Sequence, residues 1–131
     1  MIGRRLGHYE IVEKLGEGGM GAVYRARDTT LGRDVALKLL PEFLTGDREK
    51  IARLDREARL LASLSHPNVA TLFGLEDADG VKYLVMELVP GETLADRISR
   101  GPVGVEVCLD IFHQIAEGLE AAQRKGSFIA I

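Results

Sequence analysis

Between residues 9 and 40 apolar and polar positions alternate in short runs, and from residue 47 onward the spacing of apolar positions becomes helical. Tyr9-Glu10-Ile11-Val12-Glu13-Lys14-Leu15 reads as a strand that ends in Gly16-Glu17-Gly18-Gly19-Met20-Gly21, and Ala22-Val23-Tyr24-Arg25-Ala26-Arg27 resumes at once as a second strand. Two strands joined through glycines make a hairpin. Asp28-Thr29-Thr30-Leu31-Gly32 has turn chemistry and leads into Val35-Ala36-Leu37-Lys38-Leu39-Leu40. Period two there puts Val35, Leu37 and Leu39 on one face and Ala36, Lys38 and Leu40 on the other. A lysine thus shares a face with a small residue inside an apolar strand, and Pro41 ends the run.

From Asp47 to Leu64 the apolar positions Ile51, Leu54, Ala58, Leu61 and Ala62 recur at helical spacing, with Thr45 or Asp47 able to cap the start. Glu57 lies on or beside that stripe, where an unpaired carboxylate is costly. After the turn Ser65-His66-Pro67-Asn68 come short strands at 70–75 and 81–86, around the turn Asp77-Ala78-Asp79-Gly80. The order β-β-β-α-β-β predicts an α+β fold: a five-stranded antiparallel sheet with one packed helix. Pro90-Gly91 then breaks the chain, and Thr93-Leu94-Ala95-Asp96 opens a short helix with a capping pattern. A long helix follows from about Val105 to Lys125, with an apolar stripe of Cys108, Ile111, Phe112, Ile115, Leu119 and Ala122 that needs something to pack against.

Composition narrows the function classes. The 131 residues carry 17 Lys+Arg and 20 Asp+Glu, a net charge of −3, which lacks the basic surplus of a nucleic-acid binder. No window approaches the roughly 18 consecutive apolar residues of a membrane helix, and the two arginines near the start are not followed by a signal-peptide core. A cytoplasmic location is the expectation. The single Cys108 excludes an internal disulfide and reads as a small core hydrophobe. His113 has no Cys, Asp or Glu at metal-ligand spacing and is expected to be partly buried or on the surface.

Gly16-x-Gly18-x-x-Gly21 is a weak signal alone, since dinucleotide-binding folds and plain hairpin turns also carry it. Context separates the readings. A dinucleotide fingerprint runs strand, turn, helix, whereas here Val23-Tyr24-Arg25 continues as a strand, so the glycines form a hairpin flap whose backbone N–H groups can approach phosphates. Read onward, Gly16-x-Gly18-x-x-Gly21-x-Val23, Val35-Ala36-Leu37-Lys38, the helical Glu57 and Met86-Glu87-Leu88-Val89 follow the order and spacing of the first half of the protein-kinase signature set. The sequence resembles the bacterial, eukaryotic-like serine/threonine protein kinases over about Leu6 to Gly126.

The resemblance implies ATP as the bound nucleotide. It makes Gly16, Glu17, Gly18, Gly19, Met20, Gly21, Ala22 and Val23 the loop over the phosphates, Lys38 the contact to the α- and β-phosphates, and Glu57 the helix partner of that lysine. A strand lysine pointing into a cleft and a carboxylate beside an apolar stripe each need a partner; alone, such a lysine would more simply be a snorkelling strand residue. Leu15, Val23 and Ala36 would sandwich the adenine, with Met86 at the rear of the pocket or equally plain core. The Glu87 carbonyl and the Val89 N–H and carbonyl would read the adenine edge, and Glu92 would reach the ribose hydroxyls or remain a solvated helix-start carboxylate. The implied organisation of 1–131 is a partial kinase domain: about 6–87 N-lobe, 88–92 hinge, 93–126 the first C-lobe helices and 127–131 an aberrant tail.

In the family the catalytic loop H-R-D-x-x-x-x-N and then D-F-G follow that long helix. Here the sequence reads Gly126-Ser127-Phe128-Ile129-Ala130-Ile131, as in a truncated, frameshifted or fragmentary kinase gene. The general-base Asp and the residues that hold Mg²⁺ are absent, so the chain is expected to be catalytically inactive, with no metal ligands of its own and with protein substrates only where a C-lobe is supplied. The alternative is a non-catalytic nucleotide-binding or interaction fragment. The stripe on the last helix then leads to a homo-oligomer, to aggregation or to a helix docked non-natively on the sheet.

Overall fold

The computed structural model describes residues 1–18 and 21–126. Gly19 and Met20 of the glycine loop, and the tail Ser127 to Ile131, lie outside the described residues. Six strands form one antiparallel sheet: β1 (Arg5–Leu6), β2 (Tyr9–Gly18), β3 (Gly21–Asp28), β4 (Arg33–Leu39), β5 (Leu72–Ala78) and β6 (Val81–Met86), in the spatial order β1-β2-β3-β4-β6-β5. The pattern predicts five strands, and the sixth, β1, has two residues, too few to carry a period. Its partner is set by the tight turn at Gly7 (φ 58°), which folds Leu6 against Tyr9 and buries Leu6 completely.

β5 begins at Leu72, later than the pattern predicts, and it runs on to Ala78 because the turn into β6 has only two residues. Asp79 (φ 51°) and Gly80 (φ 75°) both take positive φ, the hairpin geometry whose twist matches the flanking strands. Helix α1 (Glu42–Thr45) is one turn that the spacing does not reveal. Helix α2 (Arg48–Ala62) is capped by Asp47, whose Oδ1 accepts from the N–H groups of Glu49 (3.0 Å) and Lys50 (3.2 Å). Of the two candidate caps, Thr45 instead closes α1. Helix α3 (Leu94–Ser99) has the full capping box between Thr93 and Asp96, and α4 spans Val105–Arg124.

Strand alternation distributes the core over two faces. Val35 and Leu37 join Leu6, Tyr9, Ile11, Ala26, Tyr83 and Val85 in a first cluster, where the Tyr9 and Tyr83 rings meet edge to face at 6.0 Å. Leu40 turns the other way, into a second cluster with Leu72, Leu84 and Leu54 and Ala58 of α2. Burying a leucine such as Leu54 contributes roughly 1.5–3 kcal/mol, so this cluster fixes α2 on the sheet.

α4 is held differently, by one close approach. Gly118 is buried where a Cβ would lie 2.7 Å from the Asn68 carbonyl oxygen, and the Asn68 side-chain amide donates to the Gln114 carbonyl (3.1 Å) and to Glu117 (3.3 Å). His66-Pro67-Asn68 is thus a structural joint. Phe112, Ile115 and Leu119 of the predicted stripe are exposed, and Ile111, Ala122 and Cys108 are only half-buried.

Candidate functional site

The β2–β3 hairpin pairs Gly16 with Val23, Glu17 with Ala22 and Gly18 with Gly21. A register shift between Lys14 and Gly16 leaves Leu15 as an extra residue, about half exposed at the strand margin. At Gly16 and Gly18 a Cβ would project into open space, so the backbone there is accessible to a ligand. Gly21 is glycine for another reason: at φ 111° its Cβ would sit 1.9 Å from the Leu39 carbonyl oxygen. Glu17 pairs with Lys14 (2.6 Å) on the outside of the flap, and that hydrogen bond holds its carboxyl below the ordinary range.

Strand register gathers the other residues. Val23 pairs with Lys38, Lys38 with Leu84, and Ala36 with Met86. Directly paired residues share a face, and so do positions two apart on one strand. Val23, Ala36, Lys38 and Met86 therefore lie on one side of the sheet, the side on which Leu40 and Leu84 pack against α2. Ala36 is buried, while Val23, Lys38 and Met86 are half-buried. Glu57 is half-buried on α2 next to Ala58, so it and Lys38 flank the same apolar cluster from two different elements.

Beyond Met86, the Glu87 N–H donates to the Thr71 carbonyl (2.8 Å) and its Oε1 accepts from the Thr71 N–H (3.0 Å), which pins this residue to the segment before β5. Val89 is exposed. A cleft of about 560 Å³ opens beside these residues, between the turn at Ser65–Ala70 and α4. Glu92 is engaged by Arg100 at the C-terminal end of α3 through a two-pronged ion pair, with Nη2 2.9 Å from Oε1. Its carboxylate, expected at ribose hydroxyls or in solvent, already has a charged partner. Arg100, Thr71 and Asn68 are the residues that sequence reasoning missed. Each acts through partners 8 to 49 positions away, where no local period signals it.

The perturbed titrations lie away from this face. Asp28 is buried at the β3–β4 turn, where N–H groups of Leu31 and Thr30 and nearby His8 hold its carboxyl below the usual range. Burial, then the carboxylates of Glu76 and Asp77, push the Tyr83 phenol up to about 12. His113 is a surface residue paired with Glu117 (2.7 Å). Among the described residues no group of three His, Cys, Asp or Glu could hold a metal ion, and no helix is long and apolar enough to cross a membrane.

The family model that matches, the protein kinase domain, covers residues 9–128. A probable serine/threonine-protein kinase of Clostridium perfringens is 41% identical over 128 residues, which is 96% of this chain and 19% of the relative. The serine/threonine-protein kinase PrkC of Bacillus subtilis is 40% identical over 126 residues, 95% of this chain and 19% of its own length. The crystal structure of a double mutant of the Mycobacterium tuberculosis PknI kinase domain superposes with a TM-score of 0.89 at 26% identity, covering 96% of this chain and 53% of that one. The chain thus spans about a fifth of the curated relatives and about half of the solved domain. Sheet order, the packed helix, the glycine hairpin and the matched span agree: the chain belongs to the protein kinase domain family, as a partial, N-terminal kinase domain.

Proposed function

We propose that this chain is the ATP-binding part of a serine/threonine protein kinase, with about 6–87 as the N-lobe, 88–92 as the hinge and 93–126 as the first C-lobe helices. In this reading Leu15, Val23 and Ala36 enclose the adenine, Met86 closes its rear, and backbone groups of Glu87 and Val89 read its edge. The phosphates lie under the flap from Gly16 to Val23, against Lys38, with Glu57 orienting the lysine. The observation that carries the reading is the β3–β4–β6 register, which turns Val23, Ala36, Lys38 and Met86 to one face beside α2. A nucleotide fits these residues: Ala36 leaves room for a flat ring, and the open space at Gly16 and Gly18 lets phosphates approach the backbone closely.

In the intact family the γ-phosphate passes to a protein Ser or Thr, and Mg²⁺ supplies charge neutralisation. No H-R-D or D-F-G segment occurs in these 131 residues, so their share of the work is to bind and orient the nucleotide. The chain by itself transfers no phosphate and binds Mg-ATP weakly, because one side of the phosphate site faces water. Calorimetry with Mg-ATP tests this. Lys38→Ala removes a charge-assisted contact of about 1.5–3 kcal/mol, a loss of roughly tenfold to 100-fold in affinity. Unchanged binding in that variant refutes the site, and γ-phosphate transfer by the wild-type chain that disappears in Lys38→Ala refutes the inactivity. A second reading, a fragment that self-associates, is favoured by the exposed apolar side of α4, where Phe112 and Leu109 are each 64% exposed.

A further inference from the structure

β5 and β6 form an antiparallel ladder that ends with Leu72 opposite Met86, so Thr71 and Glu87 face each other one step beyond it. Two residues that face each other through hydrogen bonds in such a ladder exchange both, each N–H donating to the other's carbonyl. Only half of that exchange is made here. The Glu87 N–H donates to the Thr71 carbonyl (2.8 Å), but the Thr71 N–H donates to Oε1 of the Glu87 side chain (3.0 Å). Among the described residues nothing donates to the Glu87 carbonyl. We propose that the side chain of Glu87 is a positioning group for adenine recognition: its carboxylate replaces its own backbone carbonyl in the ladder and so frees that carbonyl to accept from the 6-amino group. The inference rests on the nucleotide reading of this face and adds a side chain that itself touches no nucleotide.

The substitution of one acceptor for the other has a physical cause. Thr71 and Glu87 are both half-buried, and an amide N–H left there without an acceptor is costly, so the Thr71 N–H takes whichever acceptor is in reach. Glu87 offers it two, a carbonyl and a carboxylate. The charged one makes the stronger bond, and it leaves the peptide after Glu87 unconstrained by the sheet. β6 accordingly stops at Met86, and Leu88 and Val89 continue outside any strand. Met86 pairs with Ala36, so the freed carbonyl lies one residue beyond the wall of the proposed adenine pocket. An aliphatic side chain at position 87 would leave the Thr71 N–H only the backbone carbonyl, and the ladder would lengthen by one pair at the expense of the acceptor for adenine. Glutamine would serve as glutamate does, since its amide oxygen also accepts. A tie that merely anchored the segment before β5 would be indifferent to the 6-amino group.

Two magnetic-resonance measurements on the full chain test this. The first titrates it with Mg-ATP and with the magnesium complex of purine riboside 5′-triphosphate, which carries hydrogen in place of the 6-amino group. The parent should prefer ATP by about three- to tenfold, the range of one neutral hydrogen bond. Glu87→Ala should bind the two alike, and Glu87→Gln should keep the preference. The second needs no nucleotide. Scalar coupling carried through the hydrogen bond of the Thr71 amide nitrogen should run to the side-chain carboxyl carbon of Glu87 in the parent, and to the backbone carbonyl carbon at position 87 in Glu87→Ala. A parent that binds neither triphosphate overturns the nucleotide site and this inference together. Lys38-dependent ATP binding with the same preference in Glu87→Ala as in the parent overturns this inference alone. So does a Glu87→Gln variant that behaves like Glu87→Ala, or a parent in which the coupling runs to the backbone carbonyl.

Discussion

Replacing Gly118 with alanine should destabilise the protein, although helix chemistry alone predicts the reverse. In a helix interior alanine is favoured over glycine by about 1 kcal/mol. At Gly118 the added Cβ would lie 2.7 Å from the carbonyl oxygen of Asn68, 3.4 Å from its carbonyl carbon and 3.3 Å from Cγ2 of Val69. A backbone oxygen cannot swing away as a flexible side chain can. Either α4 lifts from the turn or the turn shifts, at an overpacking cost of roughly 1–3 kcal/mol. The same displacement stretches the Asn68 amide from the Gln114 carbonyl, now 3.1 Å, a bond contributing about 1 kcal/mol. Set against the helix gain, the net loss is about 1–3 kcal/mol. Urea denaturation followed by far-UV circular dichroism measures it, with Ala116→Gly on the exposed side of α4 as the reference for propensity. Both variants should be less stable than the parent. If Gly118→Ala is more stable by about as much as Ala116→Gly is less, the close approach at Asn68 is refuted.

Gly21→Ala should cost several times more than Gly16→Ala, since only Gly21 combines φ 111° with a backbone oxygen 1.9 Å from the added carbon; equal melting temperatures for the two variants would contradict this. Asp28 contributes stability that is complete above the ordinary carboxylate range of about 4 and is lost as pH falls through its depressed value; the acid limb of the melting profile should therefore be shallower in Asp28→Asn, and an unchanged limb would be evidence against it. Tyr83 acts at the other end. Its folded value is raised to about 12 from 10.0, so its contribution to stability is constant below pH 10 and falls as pH rises toward 12, because the unfolded chain ionises first. Tyr83→Phe should flatten that alkaline limb, and the difference in phenolate absorbance between parent and variant should appear only as the parent unfolds; a difference seen while the parent is still folded would show that Tyr83 is not protected.

Much of the site was legible because its signals are local. Alternation in Val35 to Leu40 separates the Lys38 face from the Val35 face, and the two core clusters follow that division. The Asp47 cap and the Thr93–Asp96 box act across two or three residues, so their spacing suffices to find them. The glycine run declares accessible backbone but not which glycine is obligatory. Gly16 and Gly21 look alike in the chain, and only the approach of Leu39 tells them apart.

The sequence by itself determined the faces of β4 and α2, where elements are capped or broken, and that a lysine, a carboxylate and a glycine flap occur in a kinase-like order. The tertiary structure decided the partners. It set Val23 opposite Lys38 and Ala36 opposite Met86, left Leu15 out of register, made a strand of Arg5–Leu6, joined Glu92 to Arg100 and seated Gly118 on Asn68. The reason is physical. A side chain's inward or outward sense is set by the local backbone period, whereas register and close approach are set by packing summed over segments far apart in the chain.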